Sequence, residues 1–476
     1  MSLSAMTLRG CISALSVQAT SGTSRATPCW ALASGRRQSV CSSAGFQTCA
    51  AQPCLDENKC ENELGWTEAF DDRMKSSPIV CVAEMPAFPA QAPRQQITSL
   101  SPQKNTLFLA YTVSKLSPAT PRSNAAGIVP EYLAGHKSAL HELCVEVLAT
   151  TYFGRTRRDS EAYVQGLGLY SRALTQLRID ISNANTELGT IMSVLCLCVY
   201  ENIVFSQPTA WLMHYEGLGR LLQSRGPKAW KSPKEKQILR LARYFVILSA
   251  GHQRRQCFLE QAQWESTRCM PQGETPDKID LLHDILAHSP GIVHEYDNVR
   301  RRGCRNSSAA KALRQRVQSL IDRVHDWLES MPWACLPNLG EINTPLPDDP
   351  MDCVALAICY AMLICLYQPC QYLSVPLTPD DCADIVSNTN FLSMEICRLS
   401  NWALGSQESA NFALLLVYPL QIAWFCLKDA PMSQIEQCNI QSIMDGVVAD
   451  CHGFELGRVR CWGALSLDNG QSGFLF

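Results

Sequence analysis

From about residue 105 onward, apolar side chains return at intervals of three and four, the spacing that lines one face of a helix. "TLFLAYTVSKL" (106–116) is the first such stretch. "HKSALHELCVEVLATTYFG" (136–154) sets Leu140, Leu143, Val147 and Leu148 on one face and stops at Gly154. "DSEAYVQGLGLYSRALTQLRIDI" (159–181) keeps Tyr163, Leu167, Tyr170, Leu174 and Leu177 in step, with Asp159 or Ser160 as cap. "ELGTIMSVLCLCVYENIVF" (187–205) is apolar all round and so predicts a buried helix.

"WLMHYEGLGRLLQSRGP" (211–227) is the best punctuated. Ser206 is an N-cap candidate and Pro208 suits a first turn. Trp211, Leu212, Tyr215, Leu218 and Leu222 share a face, while Glu216, Arg220 and Gln223 fall on the wet side. Gly226 can take the left-handed conformation that ends a helix, and Pro227 cannot continue one. Further helical patterns cover 232–259, 307–331, 353–370, 380–404, 412–427 and 431–451. In 307–331, Leu313, Val317, Leu320, Val324 and Leu328 recur at threes and fours. Strand-type alternation is almost absent and no fixed-period repeat stands out. The expected fold is all-α: one large domain of stacked antiparallel helices over 105–460. A disordered N-terminal segment and linker (1–104) precede it, and a tail (461–476) follows.

Composition supports a large core, with 46% hydrophobic and only 18% charged residues. A net charge of −3 argues against a chain coated in basic surface for nucleic acid. The 24 cysteines are too scattered, in too long a chain, for a secreted disulfide scaffold. Many lie inside apolar helical runs, such as "VLCLCVY" (194–200), and read as reduced core residues of an intracellular protein. The apolar runs 354–367 and 412–427 fall short of the roughly 20 residues a bilayer demands, and the second contains Pro419. Both predict helices buried within the fold, and no membrane partner is expected.

The first 55 residues hold no Asp or Glu but carry Arg9, Arg25, Arg36 and Arg37. That composition resembles a mitochondrial transit segment. No Arg-faced amphipathic helix forms, however, so a disordered tail or a misdrawn gene start is preferred. "MPAFPAQAPRQQ" (85–96) reads as an extended linker.

The search for chemistry returns little. There is no P-loop, GxSxG or HExxH. "GLGLYSRA" (166–173) sits in a helical pattern with no strand before it, so helix packing explains its glycines. His136 with His141, and His283 with His288, are five residues apart. That spacing turns the second ring by about 140° around a helix, too far to share a metal ion. Surface or capping roles are expected for these histidines. No CxxC pair occurs anywhere, and Cys41, Cys49, Cys54 and Cys60 are irregularly spaced, which gives weak grounds for zinc. "RRRGCR" (300–305) and "KAWKSPKEK" (228–236) read as solvated loops, with a nuclear import signal as the alternative. No catalytic, cofactor or metal residue is nominated, and no enzyme activity or cofactor is expected.

Taken in order, several stretches carry a resemblance. "ALHELCVEVLATTYFGRTRRD" (139–159) is followed by "YSRALTQL" (170–177), "LCLCVYE" (195–201) and "WLMHYEGLGRLLQSRGP". Then come "QRRQCFLEQAQW" (253–264), "LLHDILAHSPGI" (281–292) and "YPLQIAWFCL" (418–427). This succession resembles the fungal-specific transcription factor domain, the helical regulatory region that follows zinc binuclear cluster modules in fungal regulators. The run Trp211, His214, Gly217, Gly219 and Arg225-Gly226-Pro227 is its most telling piece.

The resemblance implies an all-α regulatory domain in a nuclear protein, of a kind often associated with metabolic gene clusters. The expected partners are other transcription regulators or coactivators, with a small-molecule effector and a homodimer as further possibilities. The zinc module's paired CxxC halves are missing from these residues, and no Lys precedes Lys59. DNA binding therefore passes to no residue of this sequence. Three readings follow: a regulator acting by protein contact, a DNA-binding regulator whose zinc module lies outside this gene model, and, ranked below both, a helical ligand-binding protein or enzyme.

Overall fold

The computed structural model describes residues 102–116, 138–183, 187–265, 277–303, 305–331, 345–377, 385–405, 410–428 and 434–461. Expectations for 1–55, for the linker at 85–96, for the four N-terminal cysteines, for His136 and for 462–476 lie outside them. Among the described residues every regular element is helical and no strand forms.

α1 (Pro102–Leu116) packs on α2 (Ala139–Arg157), which folds back on α3 (Ser160–Ser182). Only Arg158 and Asp159 join α2 to α3. Arg158 is left-handed (φ 57°), and the Asp159 side chain caps α3 by accepting from the Ala162 N–H. The helices touch where side chains are smallest: Gly154 lies against Tyr163 and Gly166 against Thr151. As one index rises the other falls by the same amount, the register of an antiparallel pair.

Gly154 therefore does not stop α2, as its place in the pattern suggests. It is the point of closest approach, and the helix runs one turn further. The same packing shifts the buried face of α3. Ala162, Gly166, Leu169, Ala173 and Leu177 are inside, while Leu167 is exposed. Small residues carry the contact, so a reading weighted towards large apolar side chains places the seam one position off.

α4 (Leu188–Val204) is enclosed by α2, α5 (Ala210–Arg225) and α6 (Pro233–His252). Ser232 and Glu235 form a reciprocal capping box at the start of α6. α6 ends at His252, earlier than its apolar pattern suggests, because the chain turns through Arg254 (φ 49°) into a short 3-10 segment, Phe258–Glu260.

Two helices follow that the helical patterns read from the sequence leave out: α7 (Lys278–Leu286) and α8 (Ser289–Arg302). They meet at Ala287 and His288, and Pro290 occupies the first turn of α8. α9 (Ser308–Glu329) buries Leu313, Val317, Leu320, Val324 and Leu328 as its spacing predicts.

α10 (Pro350–Leu373) is a central helix packed by α7, α8, α9, α11 (Ile385–Gly405) and α12 (Ala410–Leu427). α10 and α12 are long and apolar enough to cross a membrane by length and composition, yet most of their side chains lie inside the core. The chain closes with α13 (Gln434–Gln441), a π-helical turn (Ser442–Cys451) and a 3-10 turn (Glu455–Gly457). These last turns dock on the first helices. Phe454 is fully buried near Tyr152, and Glu455 accepts from Arg155, Arg458 and Arg460.

Pro419 stands inside α12 without breaking it. A proline supplies no N–H to the carbonyl four residues earlier, here that of Leu415. The Tyr244 hydroxyl, reaching across from α6, donates to that carbonyl at 2.7 Å. Tyr244→Phe leaves the buried carbonyl unsatisfied and is expected to cost about 1–3 kcal/mol. Adding Pro419→Ala to Tyr244→Phe restores an amide donor and recovers part of that loss. Urea denaturation of the two variants and their combination measures both effects.

Candidate functional site

The polar groups of this core converge where α3, α4 and α5 meet. Glu201, in the last turn of α4, has no solvent exposure. Phe205, left-handed at φ 50°, turns the chain so that Ser206 comes back over that carboxyl group. Glu201 accepts from the Ser206 N–H at 3.1 Å, from Ser206 Oγ at 2.8 and 2.9 Å, and from the Tyr170 hydroxyl at 2.6 Å.

The Tyr170 oxygen lies 2.9 Å from His214 Nε2. Because the tyrosine proton points at Glu201, the network assigns the Nε2–H tautomer to His214. Beside it, Asn202 Nδ2 bridges the Cys198 carbonyl and the Tyr215 hydroxyl, both at 2.7 Å. Tyr170 also stacks on Tyr200, with centroids 4.1 Å apart.

Ser206 thus serves the end of α4 instead of capping α5. Thr209 occupies that N-cap without a side-chain bond, and the Pro208 carbonyl accepts from Trp211 Nε1. The rest of α5 follows its pattern. Trp211, Tyr215, Leu218 and Leu222 are buried, Glu216 pairs with Arg220 at 2.7 Å, and Gly226 ends the helix at φ 75°.

Burial sets the protonation of this cluster. Desolvation raises the Glu201 carboxyl above its ordinary range, against the lowering effect of the bonds from Tyr170 and Ser206. Desolvation lowers His214 to about 4. His252, edge-on to Trp211, is likewise lowered to about 4. Both rings are neutral at pH 7. The same burial drives the Tyr170 hydroxyl upward, so it donates and does not ionise. The cluster has the chemistry of a hydrogen-bonded clamp between three helices.

A histidine whose folded pKa is depressed gives stability that is complete above its unfolded value near 6.5 and is lost as pH falls through its folded value. The protein is therefore expected to lose stability from about pH 6.5 down to about pH 4. His214→Gln with His252→Gln should make that slope shallower, with His283, also depressed, leaving part of it. Thermal melting across this range, wild type against double variant, checks it.

A second cluster joins α6 to α7. Arg243 pairs with Asp280 at 2.5 Å and Asp284 at 2.8 Å, and Arg240 also pairs with Asp280. His283 lies between these elements, stacked on Tyr244, and neither ring nitrogen has a hydrogen-bond partner among the described residues. Burial and the two arginines push its pKa well below the ordinary value. His141 is also buried, within α2. The expectation of surface or capping roles fails for both residues, because helix packing encloses their faces. His288 does stand at the N-cap of α8.

A third cluster builds the turn after α6. Arg254 grips Asp297 of α8 through Nε (2.6 Å) and an NH2 group (2.7 Å), and its carbonyl lies 2.8 Å from His294 Nδ1. Arg316 of α9 pairs with Glu295 and Glu260.

The cysteines fit the reading of core residues. Most described thiols are buried, and desolvation pushes Cys144, Cys257 and Cys397 up to about 12. Such thiols are protonated and poorly nucleophilic. Among the described residues no cluster of His, Cys, Asp and Glu could hold a metal ion. "GLGLYSRA" lies wholly within α3. "RRRGCR" is not a loop: Arg300, Arg301 and Arg302 form the last turn of α8, and Gly303 (φ 66°) ends it. Cations suit that end of a helix. "KAWKSPKEK" spans a 3-10 turn and the first turn of α6.

These clusters fall on the stretches that carry the resemblance: Tyr170, Glu201, His214 and Arg254 each sit in one. The family model described as "Fungal specific transcription factor domain" matches residues 108–387. The chain belongs to the fungal-specific transcription factor domain family. The match ends within α11, while the core continues through α12 to the 3-10 turn at Glu455. An uncharacterized protein of Emericella nidulans is 26% identical over 182 residues, which is 37% of this chain and 39% of that protein. The chain thus aligns with well under half of that relative's length. No solved structure matches the chain.

Proposed function

We propose that this chain is a nuclear regulator of fungal gene transcription, acting through its helical domain by contact with other regulators, coactivators or an effector. The family match over 108–387 carries this reading. The chemistry of the core agrees with it. The polar cluster at α3, α4 and α5 ties helices together, with its imidazole neutral at pH 7, and the buried thiols are held protonated. A role beside a metabolic gene cluster is part of the same reading.

Chromatin immunoprecipitation of the tagged native protein tests it. Enrichment at a defined set of promoters, with transcript changes at those genes on deletion, is expected. A protein that stays outside the nucleus and never associates with chromatin would refute the reading.

A further inference from the structure

The C-terminal end of α10 forms an open cleft of about 310 Å³, lined by Tyr367, Cys370, Gln371, Ser374, Val375 and Leu377, with Pro376 at its edge. Ser374, left-handed at φ 55°, turns the chain there, and the Val375 N–H returns to the Cys370 carbonyl at 2.8 Å. That turn makes 375–377 one wall. Tyr367, Val375 and Leu377 give an apolar floor, while Gln371, Ser374 and Pro376 face solvent.

Two arginines border this cleft, and three more lie at the adjoining end of α8. Arg305 donates to Ser374 Oγ at 2.9 Å and lies over the Tyr372 ring. Arg314 donates through Nε to the Leu373 carbonyl at 2.6 Å. Arg300 reaches the Tyr296 hydroxyl at 3.4 Å, and Tyr296 packs edge-on against Tyr372. Arg301 and Arg302 continue the patch. All five are exposed, and among the described residues none is paired with a carboxylate. The nearby acids are already engaged: Asp297 by Arg254, and Glu295 and Glu260 by Arg316. Arg305 and Arg314 each use one of five donors on the fold, leaving forks that suit carboxylates.

We propose that this cleft and its arginine rim dock an acidic segment of a partner protein, with one apolar side chain of that segment seated on the Tyr367–Val375–Leu377 floor. The proposal rests on the regulatory reading above and supplies the chemistry of the partner. Charge complementarity favours an acidic chain. The cleft is at the lower limit of small-molecule sites, which span about 300–1,000 Å³, and it is open along one side. The cations extend beyond it over the end of α8 and the start of α9, a footprint longer than a small ligand. A nucleic-acid backbone would leave the apolar floor without a partner, and the chain's net charge of −3 offers no wider basic track.

The test uses the full chain and a dye-labelled short peptide of alternating Asp or Glu with Leu or Phe, read by fluorescence anisotropy. Binding is expected to weaken with salt. It should fall at least about tenfold when the peptide's acids become amides, and again when its apolar residues become Ala. R305E with R314E should cause a similar loss in a chain that still melts cooperatively, at a temperature lowered by the two bonds those side chains give the fold. If that pair perturbs the fold, R305Q with R314Q and the peptide series on the wild-type chain still decide the question.

Absence of binding, equal binding of the amide peptide, or a fully folded R305E/R314E chain that binds as wild type would overturn the proposal. So would a double-stranded oligonucleotide that competes more strongly through the same arginines. Failure here in a chain that still associates with chromatin removes only this docking surface. Absence from chromatin removes the regulatory reading beneath it.

Discussion

Glu201→Ala is expected to lower the free energy of unfolding by about 3–5 kcal/mol. The substitution leaves the Tyr170 hydroxyl, the Ser206 N–H and Ser206 Oγ without their acceptor. Each donor orphaned in this half-buried junction costs up to about 1–3 kcal/mol, and the space vacated by the fully buried Glu201 side chain adds to that. His214 then loses the fixed hydroxyl that positions its ring. Glu201→Gln keeps one acceptor oxygen and should lose less.

The pH dependence gives a sharper reading. The Glu201 carboxyl is raised in the folded state. Its titration therefore contributes stability that is complete at acid pH and is lost as pH rises above the ordinary carboxyl range. The gap between wild type and Glu201→Gln should narrow over that rise. Urea midpoints at several pH values measure it. A Glu201→Ala loss below about 1 kcal/mol would show that the carboxylate is not the junction of α3, α4 and α5.

Gly154→Ala is expected to destabilise by about 3 kcal/mol or more, the upper end for forcing extra volume into a packed contact. A Cβ there would sit 2.7 Å from Tyr163 Cα and 2.9 Å from Tyr163 Cβ. The obstacle is the backbone of α3, which cannot rotate aside, so α2 and α3 would have to separate. Helix propensity predicts the opposite sign, a gain of about 1 kcal/mol for alanine over glycine within a helix. The direction of the shift in melting temperature therefore decides between a packing glycine and an incidental one.

The helical succession was legible because large apolar residues recur at three and four. α9 shows this best, with every residue of its predicted stripe buried. Legibility faded where small residues or short connections do the work. Gly154 looks like a stop in sequence and acts as a contact, because only the partner helix shows what lies opposite it. α7 and α8 escaped the pattern altogether: α7 is only nine residues long, and Pro290, which sits in the first turn of α8 where proline is tolerated, reads as a break.

The polar clamp was less legible still. Tyr170, Glu201 and His214 lie on three helices, so no spacing rule links them, although each falls in a stretch that marks the family. His283 and His141 were misplaced for a related reason. A spacing of five residues argues against shared ligation but says nothing about which face a neighbouring helix covers. The basic run 300–305 was visible as charge. That its arginines meet no carboxylate among the described residues depends on Arg254 and Arg316 engaging the nearby acids, which only the assembled fold shows.

The central claim is that these family stretches and the two most apolar helices form one buried scaffold, on whose surface partners are received. Hydrogen exchange of the native chain, read by mass spectrometry, tests it most directly. The slowest amides should lie in 188–204, 350–373 and 410–427, with 453–457 protected alongside α2. Rapid exchange through those three helices, or protection of 453–457 that survives loosening of α2 by Gly154→Ala, would contradict it.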